Sequence, residues 1–198
     1  MTSKKPVLIV GNGARAAGAS DLIYEFIKKT HIPVLTTMNT VDMIQDEYRF
    51  GFIGTYGNRI SNMMLNEADL VISVGARLGL RQIGHMKELF ASKAKLIRCD
   101  VDQYELARQI KSDEEKYNLD AKYFMEQLLA EEISDYSGWW NNCMKAKKLL
   151  DGYDDTEGNR LLGCTILMFK RHKRQNHYWW KLWCNGSWIA ICYRNINK

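Results

Sequence analysis

The feature that most limits what this 198-residue chain can fold into is a set of short apolar runs, most of them stopping at a turn or acidic residue. Val7-Leu8-Ile9-Val10 runs into Gly11-Asn12-Gly13, Pro33 to Thr37 forms a second run, Asp69 to Val74 stops at Gly75, and Lys95 to Cys99 stops at Asp100. Runs of this length and composition fit strands buried on both faces, as in a parallel sheet. Helical patterns separate them. Leu22, Ile23, Phe26 and Ile27 share one face, with Glu25, Lys28 and Lys29 opposite and Ser20 or Asp21 as candidate caps. After an irregular stretch from Asn39 to Asn58, Ile60, Met63, Met64 and Leu65 mark a short helix. Tyr104 to Lys111 reads as helical with Leu106 and Ile110 inward, and Asp120 can cap a helix on which Phe124, Leu128 and Ile133 share a face. Strands alternating with helices at these lengths predict an α/β fold, a doubly wound open parallel sheet.

In such sheets ligands bind beyond the carboxyl ends of the strands. Those ends carry Gly11 to Gly13, Thr36 and Thr37, Gly75 to Arg77, and Asp100 to Asp102. Glycines after the first strand let the backbone approach a phosphate, Arg77 and Arg81 offer planar donor forks, and Asp100 or Asp102 can accept a ribose hydroxyl. A nucleotide fits this set. Each residue also has a plain reading: Gly11-x-Gly13-x-x-Ala16 is a degenerate motif that a structural turn explains, and the arginines can be solvated surface or interface charges. His31 and His85 have no identifiable partner at ligand spacing and are read as solvated or core-edge residues, while Cys99, inside a strand, is read as an inert buried thiol. No catalytic residue and no metal ligand is assigned.

The totals are divided unevenly along the chain. Eight of the 28 bases and none of the 23 acids fall in residues 159–198, leaving 20 bases against 23 acids before them; the net charge of +5 is therefore a slightly acidic segment followed by a strongly basic one. Four of six tryptophans and three of five cysteines also fall in the last 40 residues. Odd cysteine number without CxxC spacing excludes a zinc site or disulfide framework, and no run of about 18 apolar residues or signal-peptide core occurs, so a reduced, cytoplasmic protein without a membrane span is expected. The division expected is a nucleotide-binding-like domain over 1–135, a helix and linker over 136–158, and a tail over 159–198.

Four stretches carry a family resemblance: Pro33 to Thr37; Phe52-Ile53-Gly54-Thr55-Tyr56-Gly57-Asn58; Asn66 to Val74 with Gly75-Ala76-Arg77; and Ala94 to Cys99 with Asp100-Val101-Asp102. In that order they resemble the central domain of thiamine-diphosphate-dependent enzymes of the acetolactate synthase-like group, from about Lys5 to about Glu132. The resemblance implies a Rossmann-like fold and a three-domain parent, usually a homo-oligomer. That parent decarboxylates a 2-oxo acid, with pyruvate the first candidate, and transfers the resulting carbanion equivalent to an acceptor, using thiamine diphosphate and magnesium held on the other two domains. It also implies that the central domain holds FAD, ADP or nothing. The positions matching the flavin site are Gly11, Gly13, Thr36, Tyr56, Gly57, Gly75, Arg77, Arg81, Asp100 and Val101. Two positions depart from the family: its Asp-Asp pair between the arginines is here Leu78-Gly79-Leu80, and its histidine before glycine is Tyr56.

The tail has two readings. Lys170-Arg171-His172-Lys173-Arg174 followed by Tyr178, Trp179, Trp180, Trp183 and Trp188 resembles a nucleic-acid-binding segment, with cations for phosphates and rings for stacking bases. These aromatics follow no helical or strand period, however. Advancing the reading frame by one base converts the TGG codons of Trp179, Trp180, Trp183 and Trp188 into glycine codons, and the surrounding codons then permit GG…GxMGxGLPxA, the stretch that opens the diphosphate-binding half of the family's third domain. A frame change between about residues 150 and 163 is therefore expected, with 159–198 an out-of-frame tail that was never selected to pack. A stand-alone nucleotide-binding module is the remaining alternative.

Overall fold

The computed structural model describes residues 3–154, 179–184 and 187–192, and it divides into two compact units, 1–154 and 155–198. The first unit is built on six parallel strands: β1 (Pro6–Val10), β2 (Val34–Thr36), β3 (Arg49–Phe52), β4 (Leu70–Val74), β5 (Lys95–Cys99) and β6 (Glu115–Tyr117), in the order β3-β2-β1-β4-β5-β6. Every residue of β1 and β4 is buried, which is why both read as unbroken apolar runs. Seven helices accompany them: α1 (Asn12–Ala16), α2 (Ser20–Thr30), α3 (Arg59–Glu67), α4 (Leu80–Ile83), α5 (Gln103–Ala107), α6 (Ala121–Ala130) and α7 (Ser137–Asp154).

Pleating sends alternate residues to opposite faces and so makes two cores. Leu8, Val10, Ile72, Val74 and Ile97 meet Ile23, Phe26, Phe124 and Met125 of α2 and α6. On the other face Val7, Ile9, Val71 and Leu96 meet Ile60, Met64 and Leu65 of α3. Helix α7 belongs to this same unit: Trp139 Nε1 donates to Pro6 O at 3.1 Å, Lys147 Nζ donates to the carbonyls of Asp46 and Arg49, and Trp140 packs edge-on against Phe50 with ring centroids 5.1 Å apart.

Several local expectations change. The stretch from Asn39 to Asn58 is not irregular throughout: a 3-10 helix (Met38–Met43) and strand β3 lie within it. The charged strand β6 is likewise additional. Neither Ser20 nor Asp21 caps α2, since Ala19 occupies the N-cap and both lie in the first turn. Asp120 does cap α6, its Oδ1 accepting from the amides of Lys122 and Tyr123. Helix α5 stops at Ala107 although Ile110 is still buried, and Ile133 packs on the core from beyond the end of α6.

In the second unit β7 (Trp179–Cys184) pairs antiparallel with β8 (Ser187–Cys192), where no strand period was expected. The overlooked signal is Asn185-Gly186 between two runs of β-forming residues, a strong hairpin cue. The rest of 155–198, including the Lys170 to Arg174 cluster, lies outside the described residues.

Candidate functional site

Strand order reverses between β1 and β4, and in open sheets of this order the ligand crevice lies beyond that junction. The ten residues named from sequence fall along it. Tyr56 and Gly57 follow β3, Thr36 ends β2, Gly11 and Gly13 follow β1, Gly75, Arg77 and Arg81 follow β4, and Asp100 and Val101 follow β5. Five neighbouring strand ends are separated by four gaps of about 4.8 Å, roughly 19 Å in all.

They are not equivalent in what they offer. The Gly11 amide donates to Val74 O at 3.0 Å, Gly13 to Gly75 O at 2.9 Å and Ala14 to Gly11 O at 3.1 Å. A Cβ on Gly11 would collide with Gly75 O and Ala76, and Gly75, at φ +58°, lies against the backbone of Gly13 and Ala14. The glycines thus let the ends of β1 and β4 close on each other, and these three amides are spent on carbonyls rather than presented to a phosphate. Thr36 is fully buried and donates to Gly51 O at 3.2 Å; Thr40 Oγ1 donates to Val10 O at 2.8 Å and meets Thr37 Oγ1 at 3.1 Å. These hydroxyls bind β1, β2 and β3 together.

The outward-facing chemistry comes from side chains further along. Arg81 is exposed with no side-chain partner among the described residues, and Tyr56 is 52% exposed with its hydroxyl unpaired. Gly57 donates its amide to Gly54 O, fixing that turn. Asp102 is the N-cap of α5, its Oδ1 accepting from Tyr104 N at 2.8 Å, so it is engaged. Asp100 accepts Asp102 N through Oδ1, and its Oδ2 has no donor among the described residues. Val101 beside it is 73% exposed.

Sequence reasoning missed a charge network beneath this edge. Arg77 Nε pairs with Glu105 Oε1 at 2.5 Å, and Glu105 Oε2 takes Arg108 Nη2 at 3.3 Å. Arg108 also donates to Leu78 O at 3.1 Å and to Arg77 O. Deeper, Arg98 and Glu114 pair at 3.5 Å with both side chains only 2% exposed, and Arg98 donates to the carbonyls of Arg108 and Glu105. The available signal was Arg98 itself, an arginine inside an apolar strand that must carry its partners inward. Leu78, at φ +48°, is fully buried, which places a core side chain where the related motif begins its acidic pair. Across the ends of β1 and β2, Arg15 reaches Asp42 at 2.5 Å and Asn39 O at 2.9 Å, and that hydrogen bond holds the Asp42 carboxyl below its usual range.

Other singled-out residues lie elsewhere. His31, read as a solvated or core-edge residue, is half-exposed and pairs through Nδ1 with Asp135 at 2.7 Å, at the amino end of β2. His85 is exposed, and burial pushes the Cys99 thiol up to about 12, which leaves it protonated and unreactive. A groove of about 200 Å³ lined by Asn62, Leu65, Gln82, Ile83, Leu89 and Phe90 lies beside the turn after β3. Among the described residues no cluster of three metal-binding side chains occurs, and no helix is long and apolar enough to cross a membrane.

Comparison with known proteins agrees with this geometry. Residues 1–128 match the family described as thiamine pyrophosphate enzyme, central domain. The chain is 30% identical over 153 residues to a probable acetolactate synthase large subunit of Methanocaldococcus jannaschii, covering 74% of this chain and 26% of that protein. It is 31% identical over 150 residues to the acetolactate synthase large subunit of Lactococcus lactis, with 74% and 26% covered, and 29% identical over 169 residues to that of Haemophilus influenzae, with 80% and 29% covered. The chain spans about a quarter of the length of these relatives. A six-stranded parallel sheet and a family match spanning nearly two thirds of its length together establish that the chain belongs to the thiamine pyrophosphate enzymes, of which residues 1–128 form a central domain.

Proposed function

We propose that this chain serves as the central domain of an acetolactate synthase-like enzyme and that its strand-end crevice holds the adenosine diphosphate part of ADP or FAD. The observation that carries the proposal is the placing of Tyr56, Gly75, Arg77, Arg81, Asp100 and Val101 along adjoining strand ends on either side of the topological switch. The terminal nitrogens of Arg77 and the guanidinium of Arg81 suit a diphosphate, and the Oδ2 of Asp100, unpaired among the described residues, suits a ribose hydroxyl. Because the glycine-turn amides are engaged, phosphate charge is met by arginines.

In the parent reaction a 2-oxo acid, pyruvate as first candidate, loses carbon dioxide and its carbanion equivalent passes to an acceptor. Thiamine diphosphate with magnesium supplies the carbanion stabilisation, and both belong to domains flanking this one. The residues of this chain bind and orient the nucleotide; they do not carry out the chemistry, so the chain alone is inactive. A cytoplasmic homo-oligomer is the setting proposed for the parent.

The tail over 159–198 is proposed to be out-of-frame translation. The reading is supported by composition, since the 23 acids all precede residue 159 while eight bases follow it. Resequencing the coding DNA tests this: a one-base shift near residues 150–163 opens a frame through the GLP stretch, and its absence rules the proposal out. For the nucleotide, the full chain is expected to gain thermal stability with ADP or FAD and to carry flavin absorbance after reconstitution. Binding to single-stranded nucleic acid that is salt-dependent and lost on deleting 159–198 would instead favour the basic-tail reading.

A further inference from the structure

Arg77 presents a puzzle of order. Its side chain is 78% exposed, and an arginine so placed in water samples many rotamers, yet its Nε is paired at 2.5 Å with a carboxylate that is only 16% exposed. That carboxylate is fixed in turn. Glu105 sits in α5, which Asp102 caps, its second oxygen receives Arg108, and its backbone carbonyl receives Arg98 Nη2 at 2.9 Å. Arg108 grips the same loop from below by donating to the carbonyls of Arg77 and Leu78, at the residue where φ is +48°. One short helix therefore holds both the backbone and the side chain of the β4–α4 loop, while neither terminal nitrogen of Arg77 makes a hydrogen bond among the described residues.

We propose that Glu105 is a positioning residue for Arg77: it anchors the guanidinium by Nε so that its terminal nitrogens face the crevice as a ready two-donor fork for a diphosphate. This rests on the nucleotide reading above and adds to it the residue that orders the anion contact. Three guanidiniums (Arg77, Arg98, Arg108) and the Lys116 ammonium against two carboxylates (Glu105, Glu114) leave the network positive, so the anchor does not cancel the charge that an anion meets. A carboxylate that competed with the ligand would approach the terminal nitrogens most closely; here the nearest approach is to the inner one.

The test is calorimetric titration of the full chain with ADP, inorganic pyrophosphate and adenosine, comparing wild type with Glu105→Ala, Glu105→Gln and Arg77→Ala. Glu105→Ala is expected to weaken ADP and pyrophosphate by about tenfold, the order of the rotamer freedom that an unanchored arginine surrenders on binding, and to leave adenosine unchanged. Glu105→Gln, which keeps one oxygen for either Arg77 Nε or Arg108 and turns an NH2 toward the other, falls between, and serves if the alanine variant does not fold. ADP affinity that is unchanged or higher in both Glu105 variants overturns the proposal, as does an equal loss for ADP and adenosine. Arg77→Ala separates the two levels: if it abolishes ADP binding while the Glu105 variants match wild type, only the anchor fails. If wild type binds neither anion, or Arg77→Ala binds both as well as wild type, the nucleotide reading falls and the anchor with it.

Discussion

Replacing Glu114 with alanine strands a guanidinium. Arg98 and Glu114 lie 3.5 Å apart with side chains 2% exposed, and at an effective dielectric constant of about 20 two unit charges at that distance attract by about 5 kcal/mol. Arg98 keeps its hydrogen bonds to the carbonyls of Glu105 and Arg108, but its buried charge loses the carboxylate it pairs with, and Lys116 and the Ile110 amide lose the same partner. Removing one partner of a buried pair costs about 3 to 5 kcal/mol, a large part of a domain's whole stability. Urea denaturation of Glu114→Ala should show that loss, and for a unit of this size the melting temperature should fall by roughly 10 °C. The double variant Arg98→Met, Glu114→Leu removes both charges at similar volume and should recover part of the stability. It should not recover all of it, because two carbonyls lose their donor at about 1 to 3 kcal/mol. A single variant that costs under about 1 kcal/mol, or a double variant no better than the single, would refute the reasoning.

Other outcomes follow from the same structure. Gly75→Val should lower the melting temperature markedly, since φ is +58° and the backbone of Gly13 and Ala14 already fills the space, whereas Gly79→Ala, with nothing within 4 Å of its Cβ, should be near neutral in the same thermal scan. Asp42, with its carboxyl lowered by Arg15, adds stability that is complete above its usual value of 3.8 and is lost as pH falls through the lower folded value; Asp42→Asn should flatten the acid limb of the stability curve by under about 1 kcal/mol, because the pair is exposed. Trp140→Ala removes contacts with Phe50, Tyr48 and His31 and should cost about 2 kcal/mol in denaturant titration, less than a fully buried tryptophan would.

How much of this was legible in sequence depends on where each strand sits. The central strands β1, β4 and β5 are covered on both faces, so burial wrote itself into continuous apolar runs. The edge strands β3 and β6 are held largely by backbone pairing with one neighbour, and Arg-Phe-Gly-Phe and Glu-Lys-Tyr carry no such run. The site followed the same division. Gly11, Gly75, Arg77 and Asp100 could be named because strand ends are predictable once strands are. That Thr36 points inward, that the glycine amides are consumed, and that Glu105 reaches back to Arg77 are consequences of pairing between segments distant in sequence, which no local pattern encodes.

The central claim is that the carboxyl edge of the sheet holds a nucleotide, and amide chemical-shift mapping of the isotopically labelled full chain during titration with ADP tests it most directly. The account predicts saturable shifts concentrated at Gly75 to Arg77, Arg81 and Asp100 to Val101. Shifts confined to the groove around Asn62 and Gln82, or no saturable shifts at all, would contradict it.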